Sequence, residues 1–228
     1  GSLNIVLLWP VLMTILVFLA VVYFESLKIE IPLSYGRFGV GARYPLKFFY
    51  TSNIPVILAS AVLANVVIFA GVFAGMGMPI LGETQNGQII PNLEQGGLGY
   101  LLTANELRGI LSPDSFMQLL RPEAILHLIV YTMAFIGLCV MFGSFWVMMS
   151  NMDAATVSEQ MEDSGLQIPG FRADKRVIRR VLERYIPQLT VVSSVFIGLI
   201  AVGADLTGAL GSGTRTLLTV GISKRTYK

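Results

Sequence analysis

ILHLIVYTMAFIGLCVMFGSFWVMM, Ile125 to Met149, contains no Asp, Glu, Lys or Arg. At ~1.5 Å per residue a helix of this length is ~37 Å long, more than the ~30 Å hydrocarbon core of a bilayer. The run is too long for a strand and too uniformly apolar for one face of a soluble helix, so it reads as a membrane span. Its only ionisable groups are His127, near one end, and Cys139. His127 is read as a structural residue at the membrane interface, and Cys139 as buried filler.

Three similar runs lie on either side. Ile5 to Phe24, Ile54 to Phe73 and Ile186 to Ala204 are also free of charged residues. A fifth run, Leu206 to Ile222, is weaker, because it holds Gly208, Gly211, Gly213 and Arg215. Pro10 should kink the first span. Ser52 or Asn53 is placed to cap the second, with Pro55 in its first turn, and Pro187 is given the same role in the fourth. Whole-chain composition agrees. Of 228 residues, 54% are hydrophobic and 13% charged, the latter about half the share in a soluble domain. Mean hydropathy is +0.70. One cysteine permits no intrachain disulfide.

The expected fold is an all-α membrane protein of five transmembrane helices. Residues 1–2 read as a cloning scar. Spans are expected at 3–24, 51–73, 123–149 and 186–204, with an external turn and the last span in 205–222 and a tail at 223–228. The first span lacks a basic leading region and a small-residue cleavage site, so it is not read as a signal peptide. Between the spans lie loops 25–50, 74–122 and 150–185. The first reads as a hairpin-like projection, from Ile29, Ile31 and Pro32 with Gly36, Gly39 and Gly41. The second offers one short helix, Ala104 to Leu111. The third ends in an amphipathic helix, with Val177, Ile178, Val181, Leu182 and Tyr185 on one face and Arg176, Arg179, Arg180 and Arg184 off it.

Lys and Arg orient the spans. Loop 25–50 has Lys28, Arg37, Arg43 and Lys47. Loop 150–185 has Arg172, Lys175, Arg176, Arg179, Arg180 and Arg184, and the tail has Lys224, Arg225 and Lys228. Loop 74–122 has only Arg108 and Arg121, against Glu83, Glu94, Glu106 and Asp114. The first and third loops and the tail are therefore cytoplasmic and the second external. Five helices beginning outside suggest a piece of a larger polytopic protein.

Enzyme chemistry finds no support. There is no carboxylate pair in a span, no H-E-x-x-H, no phosphate-binding glycine loop, and one histidine cannot build a multi-histidine zinc site. No catalytic residue, metal or cofactor is expected. Charge-free spans also speak against an ion-coupled small-solute transporter, which places ionisable groups near the midplane. Asn65, a strongly polar amide inside the second span, reads as an interhelical hydrogen bond. Gly71 and Gly75 form a G-x-x-x-G that permits close helix packing. The basic loops fit either simple cytoplasmic placement or a docking surface for an anionic partner, such as ribosomal RNA or lipid headgroups.

Several stretches resemble one family in order. E-S-L-K-I-E-I-P-L-S-Y-G-R (Glu25 to Arg37) and R-Y-P-L-K-F-F-Y-T-S-N-I-P-V-I-L (Arg43 to Leu58) are similar to the region between the sixth and seventh helices of SecY, the alpha subunit of the Sec translocon, in its archaeal and eukaryotic form. C-V-M-F-G-S-F-W (Cys139 to Trp146), G-F-R (Gly170 to Arg172), R-Y-I-P-Q-L-T (Arg184 to Thr190) and G-A-L-G-S-G-T-R-T-L-L-T-V (Gly208 to Val220) resemble its later helices and loop. The resemblance implies ten helices in two inverted halves of five, of which this chain matches helices six to ten.

It also implies roles. Ile54 and Leu218 correspond to an apolar pore ring and Asn65 to the lateral gate. Arg172 corresponds to a ribosome-docking arginine, joined by Lys175 and Arg176 and, more loosely, by Arg37, Arg43 and Lys47. The implied function is passage of unfolded polypeptides across the membrane or sideways into it. Implied partners are the SecE-type gamma and beta-type subunits, the ribosome, nascent chains with their signal sequences, the missing N-terminal half and the lipid bilayer. The implied location is an archaeal-type plasma membrane, or the endoplasmic reticulum for a eukaryotic source. Two departures stand out: Arg215, three positions before Leu218, and a polar tail at Ser223 to Lys228. A small-solute transporter with inverted repeats and a ribosome-docking scaffold without transport are the competing readings.

Overall fold

The computed structural model describes residues 5–35, 40–47, 50–51, 53–78, 81–85, 88–90, 93–163, 166–167 and 175–209. Helix α1 (Ile5–Ser26) leads into a hairpin of β1 (Lys28–Tyr35) and β2 (Val40–Lys47). Then come α2 (Ile54–Gly75), a two-strand ribbon of β3 (Thr84–Gln85) and β4 (Gln88–Ile89), and the short α3 (Leu93–Leu102). A 3-10 turn at Phe116–Leu120 precedes α4 (Pro122–Met149). After it come α5 (Ala154–Asp163), β5 (Leu166–Gln167) and α6 (Lys175–Thr207). Among the described residues four helices are long and apolar enough to cross a membrane: α1, α2, α4 and α6. The fifth expected span lies mostly outside the described residues. Leu206 and Thr207, assigned above to that span and its turn, are the last residues of α6.

α4 is the central strut. Its buried residues His127, Tyr131, Phe135, Cys139, Gly143 and Val147 form one row at four-residue spacing, a ridge that fits the groove of a facing helix. α6 answers with Ser193, Ile197, Ala201 and Asp205, also buried and four apart. Val56, Ala59 and Leu63 of α2 and Val17 and Val21 of α1 complete this core. In lipid there is little hydrophobic drive between helices, so close packing and small residues carry the association. Gly143 shows it: a Cβ there would lie 2.1 Å from Ser194 Oγ and 3.3 Å from Thr51 Cγ2. Gly71 and Gly75, the G-x-x-x-G pair, have open space where a Cβ would stand, so their spacing packs nothing among the described residues.

A second core sits at the other end. Tyr50, Val147, Ala154, Val157 and Met161 pack against Ile178, Leu182, Ile186 and Leu189 of α6. Asn151, at φ 54, reverses the chain after α4. Asp153 then caps α5: its carboxylate accepts from the Ala155 and Thr156 amides at 3.2 and 3.3 Å. This packing explains a departure from expectation. Pro187 does not start a helix; α6 runs through it from Lys175. The stripe Ile178, Leu182, Ile186 and Leu189 is buried on both sides of the proline, and that continuous burial outweighs one lost backbone bond. Tyr185, expected on the buried face, is off the stripe and 46% exposed.

The hairpin expected in loop 25–50 forms within this mostly helical fold. β1 pairs with β2 along its whole length, Lys28 opposite Lys47 through Tyr35 opposite Val40. β5 joins β1 antiparallel at Ser34 and Tyr35. Pro45 lies on the edge strand β2, and Pro32 lies beyond the short reach of β5, so neither proline removes a bond to β5.

Loop 74–122 also differs from expectation. Residues 104–111 form turns, and helix appears instead at α3 and the 3-10 turn. The amides of Gly109 and Leu111 donate to the Asp205 and Leu206 carbonyls at the end of α6, at 2.9 and 3.0 Å. Trp9 Nε1 donates to the Thr207 carbonyl at 3.1 Å. These tertiary bonds satisfy helix-end carbonyls where lipid cannot, and they win over a local helix. Gly96 and Gly99, which look like helix breakers, allow close approach: a Cβ would meet the Ile90 carbonyl oxygen at 2.3 Å and that of Leu81 at 2.4 Å.

Candidate conduit wall and docking loops

α2 carries the candidate wall. Ile54 opens the helix, followed by Pro55 in the first turn. From there Leu58, Val62, Asn65, Ile68, Phe69 and Val72 form a stripe at three- and four-residue spacing that no described residue covers. Asn65 is the single polar side chain among these positions. Its Nδ2 donates to the Ala61 carbonyl of its own helix at 2.9 Å, and it makes no interhelical bond among the described residues. The amide stays exposed, with hydrogen-bonding capacity left for a facing element. Leu218, the other residue expected in the pore ring, lies outside the described residues.

Behind this stripe α2 is held by a buried polar seam. Thr51, just before the helix, has Oγ1 at 3.3 Å from Ser193 Oγ and 3.5 Å from Ser194 Oγ. Ser193 also donates to the Thr190 carbonyl at 3.1 Å, and Thr190 to that of Ile186 at 2.8 Å. All four side chains are buried and satisfied. Sequence reasoning missed this seam, since scattered Ser and Thr in an apolar helix carry no distinctive spacing. It also missed Asp205, one residue beyond the run ending at Ala204. Asp205 is buried at the end of α6, and its carboxylate accepts from the Tyr131 hydroxyl, with Arg108 close by.

His127 is fully buried within the protein. Its Nε2 lies 2.9 Å from the Thr103 carbonyl, which can only accept, so Nε2 carries the proton. The ring sits against Tyr100 at 4.3 Å between centroids. Burial, then the charges of Glu106 and Glu123, push the Tyr100 hydroxyl above its ordinary pKa. His127 thus clamps loop 74–122 to α4.

The two basic loops meet in one sheet. Pairing of β5 with β1 ties loop 150–185 to the hairpin of loop 25–50. Arg43 and Lys47 lie in β2, and Lys175 and Arg176 are the first residues of α6. Arg37 and Arg172 lie outside the described residues. Further along α6, Arg179, Arg180 and Arg184 are exposed, with Arg179 Nε 2.7 Å from Glu183 Oε1. At ~50 Å, α6 is longer than the bilayer core, so its arginine-rich first turns project beyond it.

The family model named SecY matches residues 2–227. The chain belongs to the SecY family. The protein translocase subunit SecY of Methanothermobacter thermautotrophicus is 47% identical over 96% of this chain and 46% of its own length. A solved SecY structure, described in terms of a plug domain that stabilises the closed state of the translocation channel, superposes with a TM-score of 0.80. It is 41% identical and covers 100% of this chain and 50% of its own. A second structure, described as a protein-conducting channel, gives 0.79 at 41% identity, covering 100% of this chain and 49% of its own. This SecY chain therefore spans about half the length of the relatives it matches. It is a membrane protein, and its fold is that of half a SecY channel.

Proposed function

We propose that this SecY chain forms one half of the wall of a protein-conducting channel, through which unfolded polypeptides cross an archaeal-type plasma membrane or leave sideways into it. The observation that carries the reading is the stripe on α2: long, uncharged, uncovered by the described residues, and headed by Ile54. Apolar side chains seal against water and ions by dewetting, yet give a sliding chain no sticky contact. Ile54 and Leu218 belong to the constriction. Asn65 lies at the gating seam, where water can replace its lost partner when the helices part.

The channel performs no chemistry; the partner that pushes the chain supplies the energy. The joined basic loops dock the ribosome, through Arg172, Lys175 and Arg176 with Arg37, Arg43 and Lys47. Gamma (SecE-type) and beta-type subunits and an N-terminal half complete the assembly. Two basic loops tied by a strand form a more rigid anionic-partner surface than separate connectors do.

The test is reconstitution with the N-terminal half in vesicles, using ribosome-bound secretory precursors. Precursors are expected to become protease-protected, and Ile54→Asp is expected to raise ion leakage several-fold. Saturable solute uptake without protection would indicate a transporter instead. Ribosome binding without protection would indicate a scaffold.

A further inference from the structure

We infer that the 3-10 turn Phe116–Leu120, with Arg121, is a membrane-interface anchor that seats in the headgroup layer and takes an anionic phospholipid. The inference is independent of any channel role. Phe116, Met117 and Leu120 are 51, 77 and 69% exposed, an unusual cost for three large apolar residues in a loop otherwise rich in Gly, Asn and acids. Leu119 packs against the main core and fixes the turn. With three residues per turn, Met117 and Leu120 then share one outward face.

The position identifies the occupant. The turn runs directly into α4, whose first turns expose Ile125, Leu126 and Ile129, so its apolar face continues that of a spanning helix. α4 is ~42 Å long, about the bilayer thickness with headgroups, which sets its first residue at headgroup level. Arg121 stands at that point, exposed, with its carbonyl accepting from the Ala124 and Ile125 amides. Apolar side chains beside an exposed guanidinium, at the end of a span, match what a lipid interface binds: acyl boundary below, phosphate above.

The test uses the chain assembled with its N-terminal half in vesicles of phosphatidylcholine, alone or mixed equally with phosphatidylglycerol. A nitroxide is placed at Met117→Cys and, as a water-facing reference, at Asp114→Cys. The fully buried Cys139 is checked for labelling in the unsubstituted chain. At position 117, accessibility to oxygen should exceed that to a water-soluble nickel complex, with the order reversed at 114. Arg121→Glu should lower the oxygen-to-nickel ratio at 117 several-fold in the mixed vesicles and much less in phosphatidylcholine alone. Greater access to nickel at 117 means that the turn faces water, and access to neither means that protein covers it. Either result overturns the anchor, and an equal effect of Arg121→Glu in both lipids overturns the headgroup contact.

Discussion

Gly143→Leu parts α4 from α6. A Cβ at this position already falls 2.1 Å from Ser194 Oγ and meets Thr51 Cγ2 as well, so three elements converge on a space without room for a side chain. Overpacking a dense site costs ~1–3 kcal/mol and sometimes more. Here the neighbours include a buried hydroxyl cluster that cannot shift without losing its partners, so ~3 kcal/mol is expected. Thermal unfolding in detergent reads the effect as a large fall in midpoint. The milder Gly143→Ala should also destabilise, and adding Ser194→Gly should recover most of the loss by removing the atoms in the way. An unchanged midpoint for Gly143→Leu would show that α4 and α6 do not meet at this seam.

His127→Ala comes next in size. It empties a fully buried ring site and leaves the Thr103 carbonyl without its donor. Cavity formation and an unpaired buried acceptor together amount to ~3 kcal/mol. The loss centres on loop 74–122, which His127 reaches through the Thr103 carbonyl and the Tyr100 ring. Trypsin cleavage after Arg108, which is exposed on that loop, should accelerate several-fold while the helices remain folded. His127→Gln, which can still donate to the carbonyl, should fall between the two. Equal cleavage in all three chains would remove the clamp.

What could be read from residues alone followed from length and charge. An uncharged run of 20 or so residues admits few alternatives, so the four helices that α1, α2, α4 and α6 contribute were visible. The pairing of β1 with β2 was visible too, through β-branched residues, proline and glycine around Ile29 to Gly41. Positions where tertiary contacts override local preference were not. Pro187 looks like a helix start, and only the burial of Ile178 and Leu182 before it shows why α6 runs through. Ala104 to Leu111 looks like a short helix, but the amides of Gly109 and Leu111 are drawn to the carbonyls at the end of α6. Gly71 and Gly75 have a packing motif that packs nothing among the described residues, whereas Gly143, outside any motif, has no space for a Cβ.

At the candidate site, Ile54 and the gate role of Asn65 entered through family resemblance; in the structure Asn65 lies on the exposed stripe of α2 and the half-buried Ile54 stands at its head. The Thr51, Ser193 and Ser194 seam behind them has no signal in spacing, because a hydroxyl in a span is as often bonded to its own helix as to another. Asp205 was hidden by a boundary drawn one residue early. Its tie to Tyr131 appears only when α4 and α6 are set side by side.

The measurement closest to the central proposal is site-specific photocrosslinking of a stalled nascent chain. A photoreactive residue replaces Ile54 in the chain assembled with its N-terminal half, and a second assembly carries it at Leu16, exposed on α1. A conduit wall predicts a strong nascent-chain adduct at 54 that depends on the translocating length, and a weak one at 16. Adducts confined to lipid at both positions, or to the ribosome-facing loops alone, would contradict it.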